Sequence, residues 1–337
     1  MKKEALLFAR FPGAQARCRV CQRGCIIPDG GKGWCRTRAN EGGTLYSLIY
    51  GEVSSISVNP IEKKPVFHYY PGSKWLSLGS WGCNFRCPGC QNWEIAHVTG
   101  EVPKEGRFIS PEEQVEMALR NGCLGLSWTF NEPTLWLEYT LEAARLAKER
   151  GLRTNYVTNG FMSEEALATL APYLDVYRMD LKGFSKETYE VIASIEEFRG
   201  ILEVAGQAKG YGMHVEVVTN LIPGLNDDER ELQGMASWIL DDLGRDTPWH
   251  VTRFHPHLRL SHLTPTPVSA LERAREIGLQ SGLRYVYLGN VPGHKAENTY
   301  CPECKELLIR RYVFDILENR IEDGRCPTCR ATIAGRF

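Results

Sequence analysis

The sequence predicts an α/β fold, built as a full or partial TIM-type (βα)n barrel, on three observations. Apolar runs of strand length recur seven times from residue 75 onward. These runs are separated by about 20 to 40 residues, which is the spacing of βα units and a parallel sheet. The segments between them carry helix start and stop signals. An open doubly wound sheet is the alternative, because periodicity alone cannot close a barrel.

The seven predicted strands are short apolar stretches that end in polar residues. They cover residues 75–82, 123–130, 153–159, 176–182, 214–223, 249–256 and 284–290. Two of the intervening helices are well marked. One begins at Ser110, with Pro111 in its first turn and Glu113 predicted to complete a capping box, and the other spans residues 134–151 and stops at Gly151.

Polar side chains follow each predicted strand. In parallel α/β folds the carboxyl ends of the strands bind ligands, although any one of these residues is also suited to a turn or a helix cap. The series as a whole favours a site at this edge. The residues singled out are Asn131, Glu132, Asn159, Asp180, Lys182, Asn220 and His255.

Eleven of the 12 cysteines fall into three groups. The central group, Cys83, Cys87 and Cys90, has the spacing C-x3-C-x2-C on the loop after the first barrel strand. Structural zinc takes four ligands and disulfides take pairs, so three thiolates suit an iron–sulfur cluster with one open iron. Cys123 stands alone in an apolar stretch and is predicted to be a small buried side chain.

The two outer groups each contain four cysteines, the number that closes a metal site. Cys301 and Cys304, then Cys326 and Cys329, form two C-P-x-C knuckles with zinc-ribbon spacing; structural zinc is predicted, with an iron site as the alternative. Cys18, Cys21, Cys25 and Cys35 are less regularly spaced. Zinc is the first interpretation there, and an auxiliary [4Fe-4S] cluster is the rival.

These groups divide the chain into three predicted modules. Residues 1–50 form an N-terminal metal module with four cysteine ligands, residues 51–295 the barrel, and residues 296–337 a C-terminal zinc-ribbon-like module. The N-terminal stretch has little apolar periodicity, so it is expected to fold around a metal rather than around an apolar core.

Composition narrows the functional classes. The 337 residues carry 40 Lys and Arg against 41 Asp and Glu, so strong nucleic-acid binding and a polybasic membrane anchor are not expected. No stretch approaches the ~18 apolar residues of a membrane span, and the N-terminal apolar run is too short for a signal peptide. A cytoplasmic protein with metal-bound rather than disulfide-bonded cysteines is predicted.

The motifs together resemble the radical S-adenosylmethionine (SAM) superfamily. The stretch "GCNFRCPGCQN" is similar to the cluster loop of glycyl-radical-enzyme activases such as the pyruvate formate-lyase activating enzyme. "TFNEP" stands where that superfamily has Gly-Gly-Glu-Pro, and "TNGF", "DLKGF" and "TNLIPGLND" resemble further strand-end motifs. The cysteine-rich segments at both ends extend the resemblance, over nearly the full length, to the radical SAM member of the AmmeMemoRadiSam system.

The resemblance implies specific chemistry and partners. Cys83, Cys87 and Cys90 would ligate a [4Fe-4S] cluster, and SAM would chelate the open iron. Asn131 and Glu132 would meet the amino end of SAM. Asn159 and Asp180 would hydrogen-bond the ribose or carboxylate of SAM, Lys182 would pair with a carboxylate or guide substrate, and Asn220 and His255 would line the adenosine site. A one-electron donor such as ferredoxin or flavodoxin, and Memo-like and AMMECR1-like proteins, are the implied partners.

Two departures from the family pattern bear on how SAM is held. Gly89 stands before the third cysteine, where an aromatic residue is common, so Phe85 or Trp93 is considered as a substitute. Phe130-Asn131 replaces Gly-Gly, so Asn131 could offer its side-chain amide instead. Two other functions stay open at this point: a glycyl-radical activase acting on a protein, and an RNA-modifying enzyme that docks through its ribbons.

Overall fold

The computed structural model describes residues 1–103 and 106–337 of the chain. Its strands, in chain order, are β1 Lys3–Glu4, β2 Phe8–Phe11, β3 Gln15–Cys18, β4 Ile26–Ile27, β5 Arg38–Glu41, β6 Thr44–Ser47, β7 Glu52–Val53, β8 Ser55–Pro60, β9 Lys74–Gly79, β10 Arg107–Phe108, β11 Gly125–Trp128, β12 Arg153–Thr158, β13 Val176–Asp180, β14 His214–Leu221, β15 Trp249–Arg253, β16 Val286–Gly289, β17 Thr299–Tyr300, β18 Leu307–Tyr312 and β19 Asp315–Asn319.

The α-helices are numbered in the same way. They are α1 Trp93–Ala96, α2 Pro111–Arg120, α3 Leu137–Glu149, α4 Glu164–Leu170, α5 Lys186–Ala193, α6 Arg199–Gly210, α7 Glu229–Trp238 and α8 Val268–Gln280. None of these helices, which all lie in the described part of the chain, combines the length and apolar character needed to cross a membrane.

Two compact units make up the chain. The first unit contains Met1–Asn59, Lys74–Tyr177 and Glu197–Met213, and the second contains Pro60–Ser73, Arg178–Glu196 and His214–Phe337. Strand β13 runs across their boundary. The predicted N-terminal cysteine module thus belongs to the same unit as the first barrel strands, and the predicted C-terminal module to the same unit as the last ones. The three-module division stays a prediction.

In the first unit the strands of the main sheet have the order β8–β9–β11–β12. Strands β9, β11 and β12 are parallel, with Gly125 opposite both Trp75 and Arg153. Strand β11 is buried along its whole length and β9 along all but its first residue. This burial on both faces explains why the strands read as continuous apolar runs and not as alternating patterns.

The N-terminal stretch of the first unit forms two small antiparallel sheets, with strand orders β1–β6–β5 and β2–β3–β4. A buried ion pair joins this stretch to α3: the Arg38 guanidinium donates to both Glu138 carboxylate oxygens, at 2.7 and 2.8 Å, and both side chains are at most 2% exposed. Each charge offsets the desolvation cost of the other, so removal of either one alone would be strongly destabilising.

In the second unit β14, β15 and β16 are parallel neighbours, and β17, β18 and β19 form an antiparallel sheet. Cys301 and Cys326 are fully buried in an apolar cluster that also contains Tyr285 and Tyr287 of the β16 region. Lys64 is buried as well, and desolvation together with the positive charges of Lys63 and Arg178 lowers its pKa to about 7.

All seven strands predicted from residue 75 onward are present, and the parallel pairing is confirmed within each unit. Only one of the two hydrogen bonds of the predicted capping box is present. The Ser110 hydroxyl accepts from the Glu113 N–H at 3.1 Å, but the Glu113 carboxylate accepts from Arg107 at 2.7 Å. Helix α3 ends at Glu149, just before Gly151 with its positive φ of 73°, as the sequence predicts.

Candidate active site

The loop between β9 and α1 carries Cys83, Cys87 and Cys90, and all three are partly buried. The Cys83 thiol accepts a hydrogen bond from the Phe85 N–H at 3.3 Å, and the Cys90 N–H donates to the Cys87 carbonyl at 3.2 Å. Burial raises the pKa of Cys83 well above its usual range, and Glu132 and Cys87 add to this effect. A cation bound at the sulfur would reverse the preference, because metal ligation requires the thiolate.

Asn131 holds the start of this loop. Its side-chain oxygen accepts from the Ser80 N–H at 2.9 Å, and its amide nitrogen donates to the Gly82 carbonyl at 2.9 Å. The Asn92 amide, at the other end of the loop, donates to the Phe130 carbonyl at 2.7 Å. The Phe130-Asn131 pair that departs from the family pattern therefore fixes both ends of the cysteine loop, and the Asn131 amide is engaged by backbone.

Glu132 is 2% exposed, and its carboxylate has four donors. One oxygen accepts from the Thr134 N–H at 3.0 Å, the Thr134 hydroxyl at 2.6 Å and the Thr158 hydroxyl at 2.7 Å; the other accepts from the Asn159 N–H at 2.8 Å. Burial raises the pKa of Glu132, while these hydrogen bonds act in the opposite direction. The carboxylate ties the end of β11 to the end of β12.

Asn159 joins this network to the cysteine loop. Its amide nitrogen donates to the Asn84 side-chain oxygen at 2.7 Å and lies 3.6 Å from the Cys83 sulfur, while its oxygen accepts from the Phe161 N–H. The structure thus brings Asn131, Glu132 and Asn159 together with Cys83, as the strand-end pattern predicts. Their side chains are engaged within the protein: Asn131 bonds the loop backbone, Glu132 bonds the β12 end, and Asn159 bonds Asn84.

An aromatic and two cations connect the cysteine loop to the N-terminal cysteines. The guanidinium groups of Arg23 and Arg86 both lie over the Trp34 ring, at 3.6 and 4.2 Å from the ring centroid. Arg86 donates to the Cys83 carbonyl at 2.9 Å, and Arg23 donates to the Asn84 carbonyl at 2.8 Å. Contact with the indole restricts the planes of the two guanidinium groups.

Phe85 and Trp93, considered as substitutes for the aromatic residue that is absent at position 89, differ in their surroundings. Phe85 is 1% exposed and packs on Phe161 with ring centroids 5.4 Å apart. Trp93 is 41% exposed at the start of α1. Phe85 is therefore part of the core, and Trp93 is the one of the two with an accessible ring.

The C-terminal thiols form a compact group. The sulfurs of Cys301, Cys304, Cys326 and Cys329 all lie within 4.8 Å of one another, and in the described residues no other set of three or more His, Cys, Asp or Glu side chains does so. The pairs Cys301–Cys329 and Cys304–Cys326 are each 3.6 Å apart. Four thiolates about 2.3 Å from one tetrahedral ion have this separation.

The remaining predicted residues lie in the second unit. The Asp180 carboxylate pairs with Arg178 and, at 3.0 Å, with Lys182. Burial alone would raise the pKa of Asp180, but the two cations lower it to about 2. The Asn220 side-chain oxygen accepts from the Thr252 hydroxyl at 3.4 Å, and His255 is exposed.

Sequence reasoning missed several residues of these networks. Asn84 is buried beside Cys83. Its position directly after a cysteine of the central group could have identified it in the sequence. Asn226 is also buried; its amide donates to the carbonyls of Lys182 and Asn220, and its oxygen accepts from the Ile222 N–H. The partners of Trp34 lie 11 residues before it and 52 after it, a separation that no local pattern reveals.

Comparison with known proteins gives matches at the level of family, sequence and fold. Residues 80–235 match the family model of the radical SAM superfamily. An uncharacterised protein from Methanocaldococcus jannaschii is 42% identical over 97% of this chain and 97% of its own length. The pyruvate formate-lyase-activating enzyme from Clostridium pasteurianum is 24% identical over 47% of this chain and 66% of that one.

Among solved structures, a radical SAM methyltransferase from Sphaerobacter thermophilus is similar, with a TM-score of 0.51 at 16% identity. The match covers 66% of this chain and 68% of the methyltransferase. At this identity the likeness concerns the fold.

Proposed function

The chain belongs to the radical SAM superfamily, and from this premise we propose that Cys83, Cys87 and Cys90 hold its SAM-binding [4Fe-4S] cluster. Bound there, the cluster would pass one electron from an external donor to SAM; this chemistry would break the C5′–S bond and give methionine and a 5′-deoxyadenosyl radical able to abstract hydrogen from a substrate. The observation that carries the proposal is a set of three thiols on one loop at the end of β9, where parallel α/β folds place their chemistry.

The residues of the loop fit such a cluster. Three thiols leave one iron for SAM, and their sulfurs are not all within 4.8 Å of one another, as ligands of a single ion would be. The Phe85 N–H and the Asn159 amide point at the Cys83 sulfur, and donors to a ligating sulfur tune the cluster potential. Asn131 and Asn92 fix the ends of the loop, so the three thiols are pre-positioned.

The strand-end residues divide into positioning and binding roles. We assign Asn131, Glu132 and Asn159 to positioning the cysteine loop and the amino end of SAM. Trp93, with its accessible ring, is the candidate to stack on adenine. Asp180, Lys182, Asn220 and His255 are proposed to contact the rest of SAM or the substrate, with the Lys182 and Arg178 cations favouring a carboxylate.

The test is SAM cleavage by the full chain. Anaerobic, iron-reconstituted protein with dithionite and SAM should release 5′-deoxyadenosine, detected by liquid chromatography and mass spectrometry. Cys83→Ala should abolish release, while Cys123→Ala, which removes the cysteine outside the three groups, should retain it. Absence of 5′-deoxyadenosine from the wild-type chain with a full iron complement would contradict the proposal.

The substrate class has two candidates. The similarity to an enzyme named as a pyruvate formate-lyase activator supports a glycyl-radical activase that acts on a protein. The full-length pattern of cysteine-rich segments instead supports action together with Memo-like and AMMECR1-like proteins. An EPR doublet on a co-incubated glycyl radical enzyme would select the first, and co-purification of tagged chain with the two partner proteins would select the second.

The outer metal sites and the electron source complete the proposal. Zinc is proposed for the four C-terminal thiols, whose separation suits one tetrahedral ion. Ferredoxin or flavodoxin is the proposed class of electron donor.

A further inference from the structure

The N-terminal cysteines surround a small cavity in the first unit. Cys18, Cys21 and Cys35 are buried and Cys25 is partly buried. All four line the same cavity, whose other walls include the apolar side chains of Val20, Ile27 and Leu135 together with Arg38. Four thiols converging on an apolar space with one cation at its edge form a metal site that the proposed SAM chemistry does not use.

The spread of the sulfur atoms distinguishes this site from the C-terminal one. The four C-terminal sulfurs all lie within 4.8 Å of one another, but no three of the N-terminal sulfurs do. Zinc gathers its four thiolates around one ion. A [4Fe-4S] cluster receives its four thiolates on four different irons, so the sulfurs stand further apart.

The order of the ligands in the chain points the same way. The C-terminal set is two C-x2-C pairs, typical of a zinc ribbon. The N-terminal set is three close cysteines, C-x2-C-x3-C, followed by a fourth after nine residues. Three close cysteines plus a more distant one is an arrangement that iron–sulfur proteins use.

We propose that Cys18, Cys21, Cys25 and Cys35 bind a second [4Fe-4S] cluster, in place of the zinc that the spacing first suggested. The site also has the donors that such clusters carry: the Thr37 hydroxyl lies 3.2 Å from the Cys35 sulfur, and backbone N–H groups of Val20 and Arg23 donate to Cys18 and Cys21.

The second cluster would stand next to the SAM-binding loop. Asn84, which follows Cys83 in the chain, lines the N-terminal cavity, and its carbonyl accepts from Arg23 at 2.8 Å. Arg23 lies between Cys21 and Cys25 in the sequence. A single hydrogen bond and a few covalent bonds therefore separate the two ligand sets. The identity of the N-terminal cluster does not depend on the proposed function. Its closeness to a SAM-binding cluster does rest on that function.

Metal analysis tests the proposal. The full chain, purified anaerobically, should contain about eight iron and eight sulfide per chain, since each [4Fe-4S] cluster brings about four of each. The variant Cys83→Ala/Cys87→Ala/Cys90→Ala should retain about half of both, with an EPR signal after dithionite reduction. This variant leaves the N-terminal ligands intact, so its result does not depend on SAM cleavage.

Two further measurements define the outcome. Cys21→Ser/Cys25→Ser should remove the iron that the triple variant retains. The EPR spectrum of the reduced wild-type chain should be broadened by the interaction of the two clusters, and this broadening should be absent from the spectra of both variants. A wild-type chain with about four iron and two zinc, or a triple variant that binds zinc and no iron, would overturn the proposal. Loss of SAM cleavage with the iron count unchanged would contradict only the proposed function.

Discussion

At the scale of single residues, the polar side chains beside the cysteine loop form hydrogen bonds within the protein. Glu132 illustrates this, because four donors converge on its buried carboxylate. The sequence identifies Glu132 as functional from its place after a strand. It does not reveal that Thr134, Thr158 and Asn159 supply the donors, since the contacts with Thr158 and Asn159 arise only when β11 and β12 are paired.

Glu132→Gln tests this role. The amide replaces an acceptor with a donor that would face an N–H or hydroxyl group, so we expect the free energy of unfolding to fall by about 1–3 kcal/mol. Release of 5′-deoxyadenosine should also fall, since Asn159 and the Cys83 loop lose their support. The control Glu149→Gln changes an exposed residue at the end of α3 and should leave both quantities unchanged. Equal effects of the two substitutions would contradict the positioning role.

Lys64 gives a pH dependence with a defined sign. Its pKa falls from 10.5 in the unfolded chain to about 7 in the folded one. Between these values the unfolded state binds more protons, so this residue makes stability rise with pH across that window. Thermal unfolding of Lys64→Met should show a smaller rise between pH 7 and about 10 than the wild type. The exposed Lys295, which is not among the charges that lower the pKa of Lys64, serves as control: Lys295→Met should retain the wild-type slope.

At the scale of elements, the apolar runs locate all seven strands because each strand is largely buried. The position of the cysteine loop after β9 follows from the same pattern. What the sequence could not show is the contact between this loop and the N-terminal segment. Gly82 has φ +85°, and a Cβ there would lie 2.5 Å from the Thr37 methyl and 3.1 Å from the Cys35 carbonyl.

Gly82→Ala therefore combines backbone strain with a steric clash. Gly212 is a matched control, because its φ is +84° and a Cβ there would meet nothing within 4 Å. We expect Gly212→Ala to cost about 1–2 kcal/mol of stability from the left-handed backbone alone. Gly82→Ala should cost about 1–3 kcal/mol more through overpacking, and should lower iron retention. Denaturant unfolding and iron analysis of both variants check this, and equal losses would show that the contact is dispensable.

At the scale of the whole molecule, three cysteine sets were readable from spacing, but their packing was not. The C-terminal set was predicted as a separate module. In the structure, Cys301 and Cys326 lie in an apolar cluster with Tyr285 and Tyr287. The buried Arg311 guanidinium donates to the Phe67 carbonyl at 3.1 Å, so the tail is joined to distant parts of the second unit. Such contacts between remote segments leave no local pattern in a sequence.

Removal of the metal that we propose for the C-terminal thiols should thus weaken the second unit as a whole. The exposed ligands are substituted in Cys304→Ser/Cys329→Ser, which spares the two buried cysteines. We expect loss of about one zinc per chain, a lower Tm and faster proteolysis within residues 285–337, with the iron content unchanged. Cys123→Ala is the control and should retain its zinc. An unchanged Tm after zinc loss would show that the apolar cluster suffices without the ion.

The contact of Gly82 with Cys35 and Thr37 has a consequence for biosynthesis. Residues 18–35 leave the ribosome before residues 83–90, and the later loop rests on the backbone that the earlier cysteines fix. If both proposed clusters form, we expect the N-terminal one to form first, because its ligands are synthesised earlier and their backbone supports the later loop. A chain that folds without iron would leave both sets of thiols unligated, so we expect the iron supply during folding to limit the fraction of chains that bind both proposed clusters.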